Sequence, residues 1–355
     1  MIKVANWILT RRCNLSCLYC RIGKDYLAPP EYPPLSYFIK NEMPTAYIIE
    51  GLSRLHKNNP DMFHIFYGGE PLLRDDLEDL IKECNHLGIK PCISTNAILL
   101  SEERAKSLFE AGLRSIQISI QGDCSEVHDL ITNNPGSFKK AIEGLRNSIK
   151  VFPKVDVTIV CLKSNWRSIP KLYKLLSNLG LRGAFRVLRF MCYSYDMLKE
   201  LILPKQYIWL SNQLYSLENS NIKIVSTGHV PGYGAPKLPD LIHPMSVSCY
   251  AGKTTLAVLP NGIAIPCQSL REFHLGNIVS EGIENIWNGE KIKLFSNLTP
   301  DKYQGKCYKC EDKWACYSCR AIANLLDGSI YGDDLSCEKL NPLRKHSYSF
   351  PSGHE

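Results

Sequence analysis

A chain of 355 residues with 45% hydrophobic content is long enough for one large domain and a smaller one. Its net charge of +7 is mild and its lysines and arginines are dispersed, so no nucleic-acid partner is expected, and no apolar run approaches the roughly 20 residues of a bilayer span. Fifteen cysteines with no secretion signal in the first residues predict a cytoplasmic protein whose thiols serve as metal ligands, nucleophiles or small buried hydrophobes rather than disulfides.

In chain order, short β-rich runs alternate with longer amphipathic segments. Residues 3–9 predict a first strand and 45–56 its helix. Further strands are expected at 62–67, 89–95, 115–120, 155–162 and 185–190, with helices over 75–87, 101–111, 137–151 and 168–179. Ser101 ahead of Glu102 and Glu103, and Ser137 ahead of a lysine-rich stretch, mark helix starts. Six β/α units of this kind make a parallel sheet, open or closed into a barrel. Beyond Phe190 the pattern weakens, and 228–244, dense in glycine and proline, reads as a linker or lid. The expected organisation is a β/α domain over 1–200, a helical segment and linker over 201–245, and a cysteine-rich domain with a tail over 246–355.

On the loop leaving the first strand, Cys13, Cys17 and Cys20 form a C-x3-C-x2-C triplet. A structural zinc site takes four protein ligands, and no histidine or fourth cysteine is nearby in sequence. A cubane iron-sulfur cluster held by three thiolates keeps one iron free for a small molecule. At the C-terminal end of a barrel strand that iron would lie where such folds keep their chemistry. Directly after the second strand comes Tyr67-Gly-Gly-Glu-Pro71, whose glycines permit a close approach and whose proline ends the strand. By itself this segment also reads as a tight turn before a helix.

Together the triplet and the GGEP segment resemble the radical S-adenosylmethionine (radical SAM) superfamily. The resemblance implies an α/β fold with a partial (β/α)6 TIM-type barrel. It also implies that Cys13, Cys17 and Cys20 hold a SAM-binding 4Fe-4S cluster, that Tyr19 shields it, and that Gly68, Gly69 and Glu70, with Pro71, meet the amino group of SAM. Ser94 and Asn96, ending the third strand, and Ser119, ending the fourth, are further cofactor-contact candidates, equally readable as strand-end turn chemistry. Gln121 stands where many members have aspartate and Thr132 where they have arginine, while His128 reads as a satisfied helix-start histidine. No residue is singled out as a catalytic acid or base.

Cys307, Cys310, Cys316 and Cys319 would alone read as a zinc ribbon. With Cys249, the Gly262-x4-Cys267 element and Cys337, they resemble the SPASM domain, which carries two auxiliary 4Fe-4S clusters. The resemblance assigns Cys307, Cys310, Cys316 and Cys337 to the distal cluster, and Cys249, Cys267 and Cys319 to the nearer one, whose fourth position is open or met by Cys192 or His243. Cys84, Cys92, Cys124 and Cys161 are expected to be buried as small hydrophobes.

The chemistry so implied is reductive cleavage of SAM to a 5′-deoxyadenosyl radical and net oxidation of a peptide or protein side chain. An electron donor such as flavodoxin or ferredoxin and a separate leader-peptide-binding protein are the implied partners, with no membrane. Gln268 replaces the aspartate of sulfatase-maturating relatives. The Cys316–Cys319 spacing followed by Arg320-Ala321 also resembles enzymes acting on haem or tetrapyrrole precursors. A non-catalytic zinc module binding nucleic acid would leave the triplet and the GGEP segment unexplained.

Overall fold

Seven parallel strands lie side by side in chain order: β1 (Val4–Thr10), β2 (Phe63–Gly68), β3 (Cys92–Thr95), β4 (Ser115–Ser119), β5 (Val155–Cys161), β6 (Gly183–Arg189) and β7 (Ile222–Ser226). The computed structural model describes residues 3–20, 22, 37, 40–192, 194–226, 249–316, 318–337 and 339–340. Helices carry the chain back after each strand: α1 (Thr45–Asn58), α2 (Leu77–His86), α3 (Glu102–Glu110), the pair α4 (Ser125–Thr132) and α5 (Ser137–Val151), α6 (Ile169–Asn178) and α7 (Pro204–Leu217). The six expected strands are all present.

The sheet does not stop at β6, however. β7 pairs with it in parallel, from Gly183↔Ile222 to Val187↔Ser226. Five residues flanked by a polar turn and a glycine- and proline-rich stretch carry too little hydrophobic signal to announce a strand. On the opposite edge β8 (Thr255–Val258) pairs in parallel with β1, from Val4↔Thr255 to Trp7↔Val258, and β9 (Ile263–Ile265) and β10 (Gly276–Asn277) follow antiparallel. The cysteine-rich region thus begins as an extension of the barrel sheet, then continues into α8 (Ile283–Asn288), α9 (Glu290–Ser296), α10 (Gly305–Lys309) and α11 (Arg320–Asp327). Among the described residues no helix is long and apolar enough to cross a membrane.

Strand alternation explains how one sheet serves two environments. In β4, Ile116 and Ile118 are buried in the main apolar core with Leu108 of α3 and Leu145 of α5, while Gln117 and Ser119 face the other way, into a cavity. Each fully buried aliphatic side chain of this layer contributes about 1.5–3 kcal/mol. Ser101 caps α3, its hydroxyl accepting from the Arg104 N–H at 3.1 Å, as expected. Ser137 does not cap α5. Asp129 takes that place, accepting from the N–H groups of Gly136 at 2.6 Å and Phe138 at 2.7 Å.

Candidate active site

The loop after β1 is held by backbone before any cofactor is considered. The Gly69 N–H donates to the Thr10 carbonyl and the Glu70 N–H to the Arg12 carbonyl, both at 2.7 Å. A β-carbon on Gly69 would lie 2.0 Å from the Arg12 carbonyl oxygen, and one on Gly68 2.3 Å from that of Thr10, so both glycines are required by the approach of chain to chain. Glu70 is fully buried. Its carboxylate accepts from the Thr95 hydroxyl at 2.6 Å and the N–H groups of Asn96 at 2.8 Å and Leu72 at 3.1 Å, although burial pushes its pKa up to about 7. Pro71 begins the short turn that follows. The Asn96 amide donates to the Asn14 side chain at 2.7 Å, inside the cysteine loop, and the Leu18 N–H reaches the Ile131 carbonyl at 2.8 Å. The Glu70 carboxylate thereby joins the end of β2 to the end of β3, and the Glu70 backbone N–H and the Asn96 side chain tie the cysteine loop to them.

A cavity of about 620 Å³ occupies the inner face of the sheet. Alternate residues of the strands form its wall, among them Asn6, Tyr67, Ser94, Gln117, Ser119, Thr158 and Arg186. Tyr19 and Cys20 border it from the cysteine loop, and Cys249 and Cys319 border it from the C-terminal region. Arg186, Arg189 and Arg271 also line it, and among the described residues no carboxylate does. Arg186 is held by Asp156 behind the wall, at 3.0 Å through Nε and 2.8 Å through Nη2.

The expected ligand cysteines fall into three groups in space. Cys13, Cys17 and Cys20 interact electrostatically with one another, as do Cys249, Cys267 and Cys319. Cys307, Cys310, Cys316 and Cys337 surround a second, smaller pocket. Burial pushes Cys13, Cys17, Cys267 and Cys337 up to about 12 and Cys307 and Cys319 up to about 11, so a metal bound there displaces protons. Among the described residues no three such donors converge at the spacing of a single ion. All-thiol sets, the distal one arranged around a pocket, have the soft donors that an iron-sulfur cluster takes.

Several residues central to this arrangement carry no signal in the local sequence. Asp334, fully buried, accepts from the Cys319 N–H at 2.7 Å, from Arg189 at 3.1 Å and from the Ser336 N–H at 3.1 Å, and its own carbonyl accepts from the Cys337 N–H at 2.9 Å. One aspartate therefore orients a cysteine of each C-terminal group. Cys192 is buried in an apolar cluster with its thiol donating to the Ser194 carbonyl at 3.2 Å, and it is the neighbouring Met191 whose sulfur lies 4.0 Å from that of Cys319. His243, the other fourth-ligand candidate, lies outside the described residues.

The substituted positions have local duties. The Gln121 side chain accepts from the Val160 N–H at 3.1 Å, joining β4 to β5, and the Thr132 hydroxyl donates to the His128 carbonyl at 3.0 Å. His128 Nδ1 accepts from the Gln121 N–H at 3.0 Å, with Nε2 buried and unpartnered. Cys84, Cys92 and Cys161 are buried, whereas Cys124 is half-buried at the start of α4.

Comparison with known proteins follows the same division of the chain. The family model of the radical SAM superfamily matches residues 7–176, and that of the SPASM iron-sulfur cluster-binding domain matches 249–311. An AdoMet-dependent heme synthase of Oleidesulfovibrio alaskensis is 26% identical over 351 residues, 94% of this chain and 87% of the relative. The mycofactocin maturase MftC of Mycolicibacterium smegmatis is 27% identical over 346 residues, 93% of this chain and 81% of the relative. Among solved structures, Streptococcus suis SuiB bound to S-adenosylmethionine superposes with a TM-score of 0.69 at 18% identity, covering 95% of this chain and 75% of that one. The anSMEcpe structure with bound AdoMet and Cp18Cys peptide gives 0.68 at 20% identity, covering 94% and 93%. These two share the fold.

Proposed function

The chain belongs to the radical SAM superfamily and is an enzyme with a C-terminal SPASM domain; from that premise we propose that it reductively cleaves S-adenosylmethionine and oxidises a peptide or protein side chain. One observation carries the reading: a single cavity of about 620 Å³ is bordered by Cys20 on one side and by Cys249 and Cys319 on another. A substrate lying in it is exposed both to the radical and to an electron acceptor.

Cys13, Cys17 and Cys20 would hold the SAM-binding 4Fe-4S cluster, with Tyr19 beside these thiols. When bound, that cluster supplies the electron that splits SAM into methionine and the 5′-deoxyadenosyl radical. The hydroxyls of Ser94 and Ser119, on the cavity wall, orient the nucleoside side of SAM, and the Gly68 to Pro71 segment, with Asn96, meets its amino group while keeping the cysteine loop fixed. Ile65, Val160, Leu188 and Phe190 give the same wall an apolar surface that keeps water from the radical. Cys249, Cys267 and Cys319, and Cys307, Cys310, Cys316 and Cys337, would hold two auxiliary clusters, which would supply an electron acceptor beside the substrate. A flavodoxin or ferredoxin delivers the reducing electron, and a separate protein presents the peptide leader.

The relative named a mycofactocin maturase supports peptide modification. A second reading, modification of a haem precursor, is favoured by relatives named AdoMet-dependent heme synthase that match 94% of this chain. Anaerobic protein supplied with reductant and SAM separates them. A short peptide encoded beside this gene is expected to raise 5′-deoxyadenosine formation and to lose mass by hydrogen or more. Stimulation by an iron-coproporphyrin, with the peptide inert, overturns the first reading in favour of the second.

A further inference from the structure

Arg320 stands apart from the other charged side chains of the C-terminal region. It opens α11 directly after Cys319 and is 0% exposed, among the largest fully buried side chains of the protein. Its Nη1 donates to the carbonyls of Gly332 at 2.8 Å and Ile330 at 3.2 Å, and its guanidinium carbon lies 4.0 Å from the centre of the Tyr303 ring. Its Nε and Nη2 are buried with no hydrogen-bond partner. A buried cation with unfilled donors is costly unless something accepts from them.

The obvious protein acceptor is already engaged. Asp334 directs one carboxylate oxygen at Arg189 and the Cys319 N–H, and the other at Ser336. Its electrostatic neighbours are Tyr303, Asp334, Cys307 of the distal group and Cys249 of the nearer group, and the Tyr303 ring on which it stacks lines the distal pocket together with Cys307. Ser318, two residues before it, lines both the large cavity and the distal pocket. The side chain therefore lies near cysteines of both C-terminal thiol sets, with two donors unfilled.

We propose that Arg320 is a positioning residue that donates its Nε and Nη2 hydrogens to sulfur atoms of the auxiliary clusters, raising their reduction potentials so that they accept an electron from the substrate. Thiolate-ligated clusters carry negative charge, and hydrogen bonds to their sulfurs stabilise the reduced form, which carries more. A cation placed between two clusters acts on both. The position makes chemical sense only for arginine, because Nη1 is committed to two carbonyls and a lysine has no second, divergent arm.

This inference rests on the reading that two auxiliary clusters are present, and iron content tests that reading separately. In full-length protein with Cys13, Cys17 and Cys20 changed to alanine, about eight irons are expected, those of two cubanes. Clearly less iron overturns the cluster reading and this inference with it. In the same background, Arg320→Met is expected to lower the ratio of reduced to oxidised auxiliary cluster at a fixed potential at least tenfold, a shift of about 59 mV for one electron, read by EPR redox titration. Arg320→Lys, which keeps the charge, should fall between the two. Full iron with unmoved midpoints in Arg320→Met overturns the proposal. If that variant loses iron, Arg320→Lys decides: parent midpoints overturn the proposal and lowered ones support it. If neither retains iron, pulsed EPR of the parent labelled with ¹⁵N in its arginine side chains decides, since no coupled arginine nitrogen on the reduced clusters overturns it and a coupled one supports it.

Discussion

His64 projects from β2 into the helix-facing core, 1% exposed, where its Nδ1 accepts the Trp7 indole N–H at 3.2 Å. The remaining ring nitrogen is buried without a partner, so a second proton would place a bare cation among apolar side chains. Burial accordingly lowers its pKa to about 4. With the folded pKa below the unfolded value of about 6.5, the unfolded chain binds more protons between the two, so stability rises with pH across that window and is lost on acidification. The full shift is worth about 3 kcal/mol. His64→Gln, which keeps an acceptor for Trp7 and removes the titration, should narrow the stability difference between pH 4.5 and pH 7 by most of that amount, read from urea midpoints. Parallel pH profiles for parent and variant would refute the account. At this scale the sequence is legible where chemistry is signalled by spacing, as in Cys13, Cys17 and Cys20. It is silent on Asp334 and His64, whose importance comes from burial and from partners distant in sequence, and it marks Arg320 only as part of a motif, without its burial or its unfilled donors.

Among the elements, the contact between the β1 loop and the end of β2 determines whether a cysteine triplet becomes a site. Because the Gly69 position faces a backbone carbonyl at 2.0 Å, which cannot rotate away, Gly69→Ala should cost about 3 kcal/mol and displace the loop. We expect loss of the N-terminal cluster's iron and of 5′-deoxyadenosine formation, with auxiliary iron retained. Gly136→Ala is the control: its β-carbon meets nothing within 4 Å, so only the positive φ of 81° counts, about 1 kcal/mol, with SAM cleavage intact. Equal SAM cleavage in both variants would mean the close approach is dispensable. Strands β1 to β6 and their helices were readable because alternation and amphipathic spacing are local. The inward polar residues of β4, Gln117 and Ser119, face a cavity; of the two only Ser119 stands out in sequence, as a cofactor-contact candidate or strand-end turn residue. β7 was unreadable for its shortness, and the parallel pairing of β8 with β1 joins residues about 250 positions apart.

For the molecule as a whole, the two cysteine-bearing regions sit on one sheet and share one cavity, yet their thiol sets are separate. Their losses should therefore be separable. Anaerobically purified parent is expected to carry about twelve irons, and the Cys13, Cys17 and Cys20 triple alanine variant about eight, with no 5′-deoxyadenosine formed. Cleavage of SAM at the parent's rate by the triple variant would show that the radical is generated elsewhere, and colourless parent protein with stoichiometric zinc would remove the cluster chemistry altogether.

The spacing of the cysteines, the GGEP segment and the β/α periodicity are properties of neighbouring residues, and from them the sequence by itself determined the family, the fold class and the kind of chemistry. Tertiary structure decided which thiols meet and what lies between them. The joining of β8 to the free edge of β1 brings Cys249 and Cys319 to the cavity that Cys20 borders, and it is the packing of Arg320 against Tyr303 and the carbonyls of Ile330 and Gly332 that leaves two of its donors buried without a partner. Such encounters depend on chain closure over long separations, where burial and charge compensation select the geometry and no local pattern records it.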